Sequence, residues 1–226
     1  MRKLVILAVV LFVVFGVITT MFGLLILRPL PTIDADERLL GLHERAEVLR
    51  DKFGVPHVFA SDLHDVFFAQ GFVTAQDRLW QMDIYRRAAE GRLAEVLGEP
   101  ALESDRFMRT LGLGRAAQLD LGVISEEAHG LLEAYMEGVN KFLQQHGESL
   151  PVEFTILGYR PEPWTPLDTL AISKLQLYDA AGNYTQELLR ASIAARLGPE
   201  VLATLLPDPS TNAGADDTRA WARVAR

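Results

Sequence analysis

From Val66 to Tyr85 the chain carries twelve apolar residues in twenty, spread over every side of a helical wheel. Phe68, Phe72, Ala75 and Leu79 line one side at i, i+4, i+7 and i+11, while Val66, Phe67 and Val73 point elsewhere. A helix that is apolar all round is a buried helix, and this one predicts the centre of the fold. Gln70, Thr74, Asp77 and Gln81 keep the same spacing and form one polar stripe within that surface. Buried polar side chains need partners, so the stripe predicts a hydrogen-bonded core. Its structural meaning is to tie helices together; its functional alternative gives Asp77 or Arg78 a catalytic role.

The flanks of this helix are readable too. Ser61 or Asp62 caps it, and Asp65 places negative charge in its first turn. Gly71 costs about 1 kcal/mol against alanine, so it marks a kink or a close helix crossing. Asp83 and Arg87 stand at i, i+4 in the favourable order, which predicts a solvated exit. Gly91 separates off a short helix over 92–97, closed by Gly98 and Pro100. Upstream, 44–50 and the β-prone Val55 to Ala60 flank a turn at Asp51-Lys52-Phe53-Gly54, a hairpin pattern. Pro56 keeps the start of the second strand off a central ladder position. His57 is tempting as a base, but a strand histidine beside proline reads as a packed or edge residue.

Downstream, 105–113 reads as a surface helix or turn. Ser125 caps a long helix whose apolar face is Leu131, Leu132, Tyr135, Val139 and Phe142, with Gly147 at its end. Val152 to Leu157 reads as a short strand. Three prolines stiffen 160–166, and Thr165 with Asp168 caps a helix running toward Ala181. Helices over 184–197 and up to Pro207 follow, and 208–226 is small, polar and reads as disordered.

The two ends and the charge bound the function. Leu4 to Leu27 holds no charge and as a helix spans about 36 Å, enough to cross a hydrocarbon core. No A-x-A-like site follows, so an uncleaved anchor is favoured over a cleaved signal. Arg2 and Lys3 ahead of it place the N-terminus in the cytoplasm and the bulk of the chain outside the inner membrane, periplasmic or extracellular. The formal charge of −8, with no basic cluster, argues against nucleic acid as partner. The absence of cysteine excludes thiol chemistry. The five histidines show no H-E-x-x-H spacing, and neither a P-loop, G-x-G-x-x-G nor G-x-S-x-G occurs. The domain plan is thus an anchor over 1–28, a linker over 29–43, one domain over 44–207 and a tail over 208–226.

Several stretches in order resemble the penicillin acylase family of N-terminal-nucleophile hydrolases. They are Arg50-Asp51 with Gly54-Val55-Pro56-His57, then Phe68-Ala69-Gln70-Gly71, Ala75-Gln76-Asp77-Arg78-Leu79-Trp80-Gln81-Met82 and Gly91-Arg92-Leu93. Glu153-Phe154 through Pro163-Trp164-Thr165-Pro166 to Asp168, and Gly182-Asn183-Tyr184 before Glu187-Leu188-Leu189-Arg190, complete the likeness over 46–206. The resemblance implies an α+β fold, the mostly helical N-terminal segment of an αββα hydrolase preceded by one transmembrane helix. It also implies an enzyme that attacks an amide with the side chain of its first mature Ser, Thr or Cys. The free α-amine of that residue, with a reference pKa of about 7.7–8.0, is the base.

In that family the amine is made by cutting a precursor, typically at Gly-Ser, yet none of the 17 glycines here precedes Ser, Thr or Cys. The expectation is therefore an α portion with no catalytic residue of its own, whose partner is a catalytic β subunit from the same precursor. By resemblance, Leu177, Tyr178 and Ala181 line the acyl pocket of a small-molecule amide substrate such as a penicillin, cephalosporin or acyl-homoserine lactone. Ala180 and Ala181 stand where the family often has larger side chains, which suits a longer acyl chain. Glu187 matches a glutamate that helps bind structural calcium, and no organic cofactor is implied. The alternative is a membrane-anchored helical binding or scaffold protein that keeps the fold without catalysis.

Overall fold

The computed structural model describes residues 2–27, 30, 36–182 and 184–206. The expected tail over 208–226 and much of the expected linker lie outside the described residues. The chain forms two compact units, Met1–Gln176 and Leu177–Arg226, a division inside the 44–207 span expected as one domain.

In the first unit, α1 (Arg2–Leu27) precedes a hairpin of β1 (Glu47–Arg50) and β2 (Pro56–Phe59). Then come α2 (Leu63–Glu90), α3 (Ala94–Leu97), α4 (Leu102–Leu111), α5 (Leu113–Leu121), α6 (Glu126–His146) and α7 (Val152–Leu157). The helix α8 (Pro166–Ala181) crosses the division, and α9 (Tyr184–Leu197) and α10 (Pro199–Leu205) belong to the second unit. The strands pair antiparallel with Arg50 opposite Pro56, so the proline sits at the end of the ladder. Asp51 Oδ1 accepts the N–H groups of Phe53 and Val55, which closes the turn and holds its carboxyl below the usual range.

α2 is the centre of the unit. Asp62 caps it by accepting the Asp65 N–H at 2.8 Å, and Gly91 ends it at φ +67. Gly71 and Gly138 let α2 and α6 touch backbone to backbone: a Cβ at Gly71 would run into the Tyr135 carbonyl, and one at Gly138 into that of Phe68. The glycine foreseen as a kink or a crossing is thus a crossing, and the departure from helical geometry lies at Arg78 (φ −139, ψ 18). Phe72, Leu79, Met82, Val139, Phe142, Phe154 and Trp164 form the core around this contact.

Three expectations fail, each for a physical reason. Val152 to Leu157 is helical, because Phe154 is the side chain drawn into the core and the Gly158 N–H bonds back to the Phe154 carbonyl at 3.0 Å. The exit of α2 is not solvated: Asp83 and Arg87 are 1 % and 4 % exposed, enclosed by Tyr159 and the chain around Glu162. The polar stripe is not buried, since Gln70, Asp77 and Gln81 are exposed and Thr74 only half-buried. Among the described residues, moreover, no helix is long and apolar enough to cross a membrane, so the expected span is not borne out.

Candidate functional site

Two polar arrangements on α2 differ in kind. At its C-terminal end, Asp83 Oδ1 accepts from Arg86 Nε at 2.9 Å, while Oδ2 accepts from Arg87 Nε at 2.8 Å and the Tyr159 hydroxyl at 2.7 Å. Arg86 also donates to the carbonyls of Glu162 and Pro163 and lies over the Trp164 ring at 5.2 Å. Burial pushes the Asp83 carboxyl up, but Tyr159, Arg87 and Arg86 together outweigh it and hold the group below the usual carboxylate range. Burial and the neighbouring Asp83 push the Tyr159 phenol well up. Both carboxylate oxygens of Asp83 accept bonds from enclosed donors, which is what a structural clamp needs and a proton-transfer group lacks. The clamp fixes the 162–164 loop, which the sequence attributes to proline stiffness alone.

Farther toward the N-terminus, the polar stripe, Asp77 apart, lines an open groove of about 480 Å³. Gln70, Thr74, Arg78 and Gln81 of α2 face it together with Tyr135 of α6 and Thr169 and Ser173 of α8. Burial raises the Tyr135 pKa. Asp77 points away into a two-pronged ion pair with Arg50 of the hairpin, both N···O distances 2.8 Å, beside an Arg50 bond to Gln76. That pairing docks the hairpin on α2 and gives Asp77 a structural role. His57 is exposed on the outer face of the hairpin, 3.8 Å from Asp51.

The expected pocket residues lie in the second unit. Leu177 is 65 % exposed, Ala181 is exposed and Tyr178 is half-buried with its ring 6.2 Å from that of Tyr184. Spacing at i and i+4 puts Leu177 and Ala181 on one face of α8. Glu187 is exposed in the first turn of α9. Among the described residues, the one gathering of three or more His, Asp or Glu ligand atoms does not include it. That gathering joins His43 and His64, far apart in sequence and so invisible to a search for short spacings.

The first unit is thus a glycine-packed helix pair with a hairpin docked by Arg50 and a charged clamp under a Pro-Trp loop. The chain belongs to the penicillin amidase family, whose model matches residues 45–219. It is 37 % identical over 178 residues to an acyl-homoserine lactone acylase, QuiP, of Pseudomonas aeruginosa, covering 79 % of this chain and 21 % of that protein. It is 43 % identical over 145 residues to the penicillin acylase 2 proenzyme of Pseudomonas sp. (strain SE83), covering 64 % of this chain and 19 % of the relative. Among solved structures, a thermostable penicillin G acylase from Alcaligenes faecalis superposes with a TM-score of 0.60 at 30 % identity, over 72 % of this chain and 91 % of the solved one. The chain therefore spans about a fifth of the length of the curated relatives it matches.

Proposed function

We propose that this chain is the α part of an amidohydrolase cleaving linear amides of acylated small molecules, and that its nucleophile comes from a β part of the same precursor. The observation carrying this reading is a contrast of coverage. The chain covers 21 % of one curated relative but 91 % of a chain of the solved penicillin G acylase. A segment that is a fifth of a precursor yet nearly all of one polypeptide in the solved enzyme is what proteolytic processing produces. The name "proenzyme" on one relative supports the same order of events. The open groove supports it too.

In this reading the β part supplies the Ser, Thr or Cys whose side chain attacks the amide carbonyl, its own α-amine taking the proton, together with donors for the oxyanion. Leu177, Tyr178 and Ala181 supply one wall of the acyl pocket. Acyl-homoserine lactones and β-lactam amides are the substrate classes suggested by the relatives' names. Glu187 contributes one carboxylate to a calcium site completed elsewhere in the precursor. The bulk of the protein works outside the cytoplasm, periplasmic or extracellular, a reading supported by Arg2 and Lys3 ahead of the uncharged run at 4–27. The test is hydrolysis of a penicillin and of an acyl-homoserine lactone by this chain alone and by the precursor containing it. The chain alone is expected to release no amine and the precursor to release it; hydrolysis by the isolated chain would overturn the proposal.

A further inference from the structure

We infer that the junction ahead of α2 is a binding site for a divalent transition-metal ion, with zinc the best match. His43, Asp62, His64 and Asp65 each offer one ligand atom, and these atoms lie within 4.8 Å of one another. They come from two pieces of chain. His43 belongs to the segment before β1, and the other three to the cap and first turn of α2. Two imidazole nitrogens with two carboxylate oxygens make a four-donor set of the kind zinc takes tetrahedrally at about 2.0–2.2 Å. Calcium or magnesium would need more oxygens than the cluster holds.

The geometry is close to that arrangement already. His43 Nδ1 stands 2.9 Å from Asp62 Oδ2, and His64 Nδ1 3.1 Å from Asp65 Oδ1. Neighbouring ligands around a tetrahedral zinc are separated by roughly 3.4 Å, from bond lengths near 2.1 Å. Small side-chain rotations therefore bring the donors onto one ion. The two rings are stacked, 4.1 Å apart and 12° from parallel, so each restricts the other's rotation. Asp65, fully buried, accepts the backbone N–H groups of His43 at 2.9 Å and Glu44 at 2.8 Å. These bonds lock the His43 segment to the helix before any ion arrives and orient the ligating carboxylate, as hydrogen bonds to a metal-binding carboxylate do. Glu137 lies 3.9 Å from His64 Nε2, so three carboxylates surround two imidazoles, an excess of negative charge that a divalent cation offsets. This site shares no residue with the calcium reading at Glu187 and does not depend on the acylase reading.

The full chain, stripped with a chelator and desalted, is titrated with zinc chloride by calorimetry and with cobalt(II) by visible absorption. One zinc per chain is expected, with the intense visible bands of four-coordinate cobalt. His43→Gln and His64→Gln should each weaken binding by at least the roughly 10–100-fold that loss of an outer-shell partner costs. His129→Gln, remote from the cluster, should change nothing. The His43 side chain is 59 % exposed, so His43→Gln keeps the fold and decides the matter even where His64→Gln does not. Absence of saturable one-to-one binding, or binding indifferent to His43→Gln, would overturn the inference.

Discussion

Two stretches of α2 carry polar residues at similar helical spacing, and the fold treats them oppositely. Asp83, Arg86 and Arg87 are enclosed and fully paired, and no buried side-chain polar atom among the described residues lacks a partner. Gln70, Thr74 and Gln81 face an open groove. The difference comes from what lies opposite. Tyr159 and the Glu162–Trp164 loop close over the first set, whereas among the described residues nothing closes over the second. Polar residues on a helix thus become a clamp or an open face according to their cover, and in the reading proposed above the cover of the open face belongs to the β part.

The comparison is broken most forcefully at the clamp. Asp83→Ala leaves two buried guanidinium groups without their shared carboxylate and should cost about 3–5 kcal/mol in urea unfolding. Gly138→Ala drives a methyl into the Phe68 carbonyl and should cost about 3 kcal/mol, by forcing α2 and α6 apart. Tyr159→Phe removes one hydrogen bond to a charged group and should cost about 1.5–3 kcal/mol. On the open face, Gln81→Ala should stay within about 0.5 kcal/mol on this segment while weakening its association with the remainder of the precursor in a pull-down. A stability loss at Gln81 as large as at Asp83 would erase the distinction.

The acid limb sharpens the same contrast. Asp83 has a folded pKa below its unfolded value of about 3.9, so its contribution is present above that pH and lost as pH falls through the folded pKa. Thermal melts between about pH 5 and 2 should therefore fall more steeply for the wild type than for Asp83→Asn.

The sequence made the hairpin, the caps at Ser125 and Thr165 and the centrality of α2 legible, because each rests on local chemistry. Ser125 accepts the Ala128 N–H, and Thr165 and Asp168 bond reciprocally, as their spacing requires. The solvated exit was misread because Asp83 and Arg87 look like a surface pair until Tyr159, 76 residues from Asp83, arrives over them. Val152 to Leu157 was misread because β-branched residues outvote a single buried Phe154 when the core is out of view. The His43–His64 cluster is a tertiary juxtaposition that no periodicity encodes. Leu177, Tyr178, Ala181 and Glu187 follow from family likeness and from no local pattern in the sequence.

The central claim is that this segment works as one part of a cut precursor. Intact mass with N-terminal sequencing of the protein from its native source tests it most directly. The account predicts a second, co-purifying chain that begins with Ser, Thr or Cys. A protein carrying this segment with no such partner and no such new N-terminus would contradict it.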